Sequence, residues 1–287
     1  MTRPLRQAAV FVAVAVGLCL AMALALPGWG LTPLLAALVP TVAVVMTVLA
    51  TQPGEGRRRW AGLGLRRPPP RGLLIALALP TAVGLASFAI AAAVGVLVLP
   101  SSGPVPGVVI ADLAVALPLS CLLFLGEEIG WRGYLLPRLA VAMSGRRAAL
   151  ATGAVHAAFH LPLLLLTTYQ GAGSRWIVVP LVMVTITAAG VPYAWLRWST
   201  GGIVPVALMH ATFNEAMQRG TAVVVATSPA ALAYTTTETG VVTAVLMVAL
   251  AGYLLTRSAP VFRAGAEESR ALFARPVAPA GAGDGRA

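Results

Sequence analysis

Residues 108–138 read VVIADLAVALPLSCLLFLGEEIGWRGYLLPR. From Val108 to Leu125 the only ionisable carboxylate is Asp112, and then Glu127, Glu128 and Arg132 arrive together. An apolar run of this length, wound as a helix, crosses the roughly 30 Å hydrocarbon core of a bilayer. The segment therefore predicts a membrane span with a compact set of charges at one end. Its surroundings agree: the 287 residues are 59% hydrophobic and only 10% charged, with a mean hydropathy of +0.87. A soluble domain carries about a quarter of its residues charged, so this composition excludes a cytosolic globular enzyme. The expected fold class is all-α, a polytopic membrane helical bundle.

Seven more apolar runs lie at Ala8 to Leu26, Leu31 to Ala50, Gly72 to Leu99, Ala148 to Thr167, Trp176 to Leu196, Ile203 to Met217 and Thr235 to Thr256. They bring the expected count to about eight spans, with Pro80 as a kink in the long third one. The first run is longer than the apolar core of a signal peptide and is read as a retained helix. The formal charge of +11 comes from twenty basic residues, all Arg, against nine acidic ones. These arginines fall between the apolar runs and form no basic domain, so they read as topology and not as a nucleic-acid surface. With both termini inside, eighteen of the twenty lie on the cytoplasmic side, and only Arg175 and Arg219 fall outside. The loop from Arg57 to Arg71, with Trp60 and Pro68 to Pro70, reads as a topogenic element, or as one that grips anionic headgroups. A single transmembrane domain over 1–256, with a catalytic core at about 108–219, and a disordered cytoplasmic tail over 257–287 complete the expected organisation. Cys19 and Cys121 lack a partner at disulfide or metal-ligand spacing.

Ionisable residues inside a bilayer cost on the order of 2.5–3.5 kcal/mol each on insertion scales, so the few present need a reason. They are Glu127, Glu128 and Arg132, then His156 and His160 in the fifth run, and His210 and Glu215 in the seventh, with the polar Asn214 between them. At 1.5 Å per residue all three groups fall in the cytoplasmic half of the membrane, which points to one polar cavity opening toward the cytosol. Residues four apart share a helix face, which pairs Glu128 with Arg132, His156 with His160, and His210 with Asn214. Glu127 lies about 100° around the helix from Glu128. One carboxylate is thus free for chemistry while the other pairs with Arg132. A carboxylate beside an imidazole can take a proton from water, and an imidazole with a carboxamide can stabilise the resulting oxyanion. Asp112 and Glu215 are read as structural, the latter without a nameable partner.

These motifs resemble a known family. GEEIGWRGYLLPR (126–138) is similar to the first motif of the CPBP family of CAAX prenyl endopeptidases and bacteriocin-processing or immunity proteins. TGAVHAAFHLPL (152–163) resembles the second, and IVPVALMHATFN (203–214) the third. The resemblance implies an intramembrane glutamic endopeptidase of the plasma membrane, acting on a peptide or membrane-protein substrate without a cofactor. It implies that Glu127 and His160 activate water, that His210 and Asn214 hold the oxyanion, and that Glu128, Arg132 and His156 support the site. His156 stands where the family usually has an aromatic residue, which leaves open which of the two is the active imidazole; Leu161 and Pro162 favour His160. Three other readings remain: zinc held by the histidines and a Glu, a non-catalytic immunity or scaffold protein, and a proton-coupled transporter.

Overall fold

The computed structural model describes residues 2–28, 30–52, 60, 62–98, 106–170 and 172–274. In chain order the helices are α1 (Arg3–Ala25), α2 (Thr32–Thr51), α3 (Pro70–Ala93), α4 (Pro106–Glu128), α5 (Leu136–Ala142), α6 (Gly145–Leu166), α7 (Arg175–Thr200), α8 (Val204–Ala222), α9 (Pro229–Thr235), α10 (Val241–Arg257) and α11 (Ala259–Ala274). A π-helical segment, Ile129–Leu135, joins α4 to α5 without a break. Two residues of β1 (Leu97–Val98) pair antiparallel with two of β2 (Val225–Ala226), tying the ends of α3 and α8 together.

Among the described residues, six helices are long and apolar enough to cross a membrane, or seven if the bent pair α10–α11, angled at 76°, counts as one span. This makes the chain a polytopic, multi-pass membrane helical bundle with fewer apolar spans than the eight expected. The difference lies in α8, and also in the 17-residue α10 unless the bent pair counts as one span. Helix α8 covers the expected seventh run, but His210, Asn214, Glu215 and Arg219 dilute its apolar face. It can be that polar because α3, α4 and α7 pack around it. The lipid-facing surface is made instead by side chains such as Leu85, Ile110 and Leu122, each 68% exposed.

One further expectation changes, in the tail. The Glu127–Arg147 stretch, placed between two spans on the cytoplasmic side, stays helical through the π segment and α5. Arg138 is buried there because its guanidinium stacks on the Tyr134 ring at 3.4 Å and donates to the Tyr134 carbonyl (3.0 Å) and to Gln7 (3.3 Å). The tail is ordered helix over Ala259–Ala274, where a disordered end was expected; residues 275–287 lie outside the description. Its Ala- and Gly-rich composition hid a helical stripe, Phe262, Gly265, Ala266 and Ser269, at spacings of three and four. That stripe is buried against α5, α6 and α7. The arginines at 57–59 and 275–286 also lie outside the described residues.

Two packing contacts position the site. α1 sends Phe11 under the π segment, with ring centroids 5.5 Å from Trp131 and 5.3 Å from Tyr134. α6 and α7 approach closely where Gly153 meets Gly190: a Cβ on Gly190 would lie 2.6 Å from the Gly153 Cα. Small residues let membrane helices gain dispersion contacts between backbones where no hydrophobic effect drives them together. A side chain here must push the helices apart. We expect Gly190→Val to cost on the order of 1–3 kcal/mol, read as a lower thermal midpoint in detergent. Gly252→Ala, which meets nothing within 4 Å, should leave the midpoint unchanged; equal midpoints for both variants would refute this packing.

Candidate active site

α4 delivers the two carboxylates at its last turn, and the π segment that follows places Trp131 and Arg132 below them. π-turns are uncommon and concentrate at functional sites. Here the widened turn carries two partners at four-residue spacing. The Glu127 Oε2 accepts from the Trp131 Nε1 at 3.3 Å. Arg132 Nη1 donates to both oxygens of Glu128, at 3.0 and 3.2 Å, and both side chains are fully buried. The expected division holds in geometry: Glu128 takes the arginine and Glu127 does not.

α6 supplies the histidines. His156 Nε2 lies 2.8 Å from Glu127 Oε2, and its Nδ1 lies 3.3 Å from Arg132 Nη1. Its ring stacks on Trp131 at 4.9 Å. His160, one turn on, uses Nδ1 on the His156 carbonyl at 3.0 Å. The direct partner of Glu127 is therefore His156, although the Leu-Pro that follows His160 drew attention to the latter. α8 adds His210, whose Nδ1 meets Glu128 Oε1 at 2.9 Å and whose ring stacks on Phe124 at 4.2 Å. Asn214 Nδ2 donates to the His210 carbonyl at 3.1 Å.

Glu127, His156, His160, His210 and Asn214 all line one cavity of about 250 Å³. Glu128 and Arg132 stand behind it and hold His210 and His156 from the rear. All seven residues singled out in the sequence thus meet, although they come from three separated segments.

Residues 109–216 match the family described as type II CAAX prenyl endopeptidase, Rce1-like. Over this stretch the chain is similar to that family. A comparison with curated proteins gives no match. The Rce1-like segment runs from near the start of α4 into α8, so it contains every site residue named above, and it supports a membrane-embedded protease.

Several residues of the cavity escaped the sequence reading. Tyr193 of α7 packs beside His210 at 5.3 Å and lies under the Arg132 guanidinium at 4.7 Å. Glu238, in the turn between α9 and α10, also lines the cavity. Desolvation there, with added repulsion from Glu127, raises its carboxyl above the usual range against the opposing pull of His210. The preceding residue, Thr237, holds a left-handed φ of 66°, the kind of strain that accumulates where a side chain must be aimed. No spacing rule could have connected a turn residue to a site on other helices. Glu215 does have partners: Ser120 donates to it, and Arg219 forms an ion pair with it at 3.1 Å and another with Asp112 at 2.9 Å.

The Glu128–Arg132 pair should behave as a unit. Removing one buried ion strands the other, at a cost of about 3–5 kcal/mol, whereas replacing both with apolar groups costs far less. Arg132→Met should therefore destabilise more than the double variant Glu128→Leu, Arg132→Met, and thermal unfolding of the three proteins checks it. Additive losses would mean that the two charges are independent.

Proposed function

We propose that the chain is an intramembrane endopeptidase in which Glu127 activates water and the hydroxide attacks a peptide carbonyl in the cavity. The observation that carries this reading is the convergence of Glu127, His160, His210 and Asn214 on one small cavity with complementary free atoms. The occupied atoms assign the roles. A carboxylate only accepts, so the His156 nitrogen facing Glu127 carries the proton; its other nitrogen faces an arginine donor and accepts. His156 has no lone pair left for water, and it orients Glu127. His160 donates through Nδ1 to a backbone carbonyl, which leaves Nε2 as an acceptor that can hold one hydrogen of the water.

Glu127 Oε1, free of the Trp131 and His156 bonds, takes the other proton as general base. As the oxygen–carbon bond forms, the carbonyl electron pair moves onto oxygen. The second Asn214 Nδ2 hydrogen and the Nε2 proton of His210 then donate to that oxyanion. His210 keeps both ring protons, donating Nδ1–H as a hydrogen bond to Glu128 and Nε2–H to the oxyanion, with Glu128 as the counter-charge. Collapse breaks the carbon–nitrogen bond, and the leaving amine takes the proton from Glu127. The substrate is a peptide segment of a membrane or lipid-anchored protein, reached from the cytoplasmic side of the plasma membrane. The family description and the arginine distribution support this reading.

A zinc-dependent reading has one observation of its own: single ligand atoms of Glu127, His156 and His160 all lie within 4.8 Å of one another. The donor types suit zinc, which bonds nitrogen and oxygen at about 2.0–2.2 Å. Tetrahedral geometry at that length sets neighbouring ligand atoms about 3.3 Å apart. The 2.8 Å between Glu127 and His156 is a hydrogen-bond distance, and it favours the metal-free reading.

Cleavage of a CAAX-type prenylated peptide and of an unmodified peptide library, read by mass spectrometry on the purified full chain, tests both. Glu127→Gln and His160→Ala should each lose on the order of 10²–10⁴-fold in rate, with Asn214→Ala losing about 10²–10³. His156→Phe keeps a ring on Trp131 and should retain substantially more activity than His160→Phe. The reverse order would make His156 the imidazole that handles water. Full activity in strong chelator is expected; loss restored by added zinc would establish the metal reading instead.

A further inference from the structure

A second pocket, of about 410 Å³, lies on the far side of Arg132 from the cavity. It is walled by the Gly62–Arg66 turn, the end of α7 and α11, and it contains Arg66, Arg132 and Arg197 against one carboxylate, Glu268. Two of these guanidiniums are built into the protein: Arg132 is 0% and Arg197 6% exposed. Both keep donors unsatisfied there. Arg132 Nε and Nη2, and Arg197 Nε and Nη1, have no hydrogen-bond partner among the described residues. A buried charged donor without an acceptor is costly to leave unmade.

The chain holds Arg197 in place with some care. Its Nη2 donates to the Gly62 carbonyl at 2.9 Å. Gly64, at φ +75°, lies so close that a Cβ would stand 2.7 Å from the guanidinium carbon. The Gly64 carbonyl in turn accepts from Ile203 and Arg66 backbone N–H groups, both at 2.9 Å. One edge of the guanidinium is thus clamped by the turn, and Nε and Nη1 are left buried beside the pocket without an acceptor.

We propose that this pocket is an anion site that takes a phosphate group, bound by Arg66, Arg132 and Arg197. Unpaired donors on two separate guanidiniums call for an anion with several acceptor oxygens in a fixed array, which a phosphate has and a halide lacks. Counting Glu128, which already pairs with Arg132, three cations face two carboxylates, a net positive charge that suits an anion. On the arginine distribution the pocket faces the cytoplasm, where phosphate is available both as anionic lipid headgroups and in free form. The site is independent of the proteolytic reading.

The test uses the full chain in nanodiscs at constant ionic strength. One arm compares phosphatidylcholine alone with phosphatidylcholine containing about 30 mol% phosphatidylglycerol; the other titrates inorganic phosphate into the pure phosphatidylcholine discs. The readouts are the thermal midpoint and the fluorescence of Trp60 and Trp198, which line the pocket. A saturating response with a rise of about 5 °C is expected in at least one arm. A response to lipid alone identifies a headgroup, and one to inorganic phosphate identifies a free anion. Arg66→Gln and Arg197→Gln should abolish it, while Arg71→Gln, an exposed residue outside the pocket, should keep it. If Arg197→Gln fails to fold, the exposed Arg66 decides. No response in either arm, or an equal response in all variants, overturns the proposal.

Discussion

The constraint on which the structure depends is that charges buried in an apolar bundle must find partners inside the protein. Arg132 and Glu128 are both fully buried, and an isolated ion in such surroundings would cost several kcal/mol even after relaxation, about as much as a small domain's whole stability. Their mutual bond alone does not exhaust their capacity. Arg132 also reaches His156, and Glu128 also reaches His210. Each additional partner comes from a different helix, so satisfying the pair also fixes α6 and α8 relative to α4. Helix α8 illustrates the result: it is too polar for lipid, and it is stable because its polar face has been absorbed by this network.

The π segment explains how two adjacent carboxylates come to do different things. Consecutive residues on a helix diverge by about 100°, so Glu127 and Glu128 face different neighbours from the start. The widened turn then supplies each with its own donor, Trp131 for the first and Arg132 for the second. Glu128 is left neutralised by a permanent cation and Glu127 is not. The proposed role of Glu127 as a base depends on that difference, because a carboxylate locked against an arginine is a poor base.

Much of this was legible in the sequence, and the reasons are specific. The pairing of Glu128 with Arg132 follows from four-residue spacing, which a π-turn shifts without breaking. The convergence of three segments could be anticipated because ionisable residues in an apolar chain are few, and their estimated depths agreed. What spacing could not supply was orientation. His156 and His160 share a face, yet only the ring packed on Trp131 points both nitrogens at charged partners. The α11 stripe was missed because low sequence complexity outweighed its periodicity. Glu238 was invisible because it reaches the cavity from a turn, through tertiary structure alone.

The roles proposed for the two histidines follow from a proton inventory. A neutral imidazole has one N–H and one lone pair. His156 places its N–H on Glu127 and its lone pair toward Arg132, which places Glu127 at the end of a continuous chain of directional bonds running back to the buried ion pair. His160 places its N–H on backbone and keeps its lone pair for the cavity. Turning either ring over would set two donors, or two acceptors, against each other in a medium where water cannot relieve the mismatch. Arg132 is the fixed point of this chain, and it also borders the second pocket. An anion bound there would hold the same guanidinium from its outer edge, so the orientation of Glu127 and the occupancy of that pocket rest on the position of one side chain.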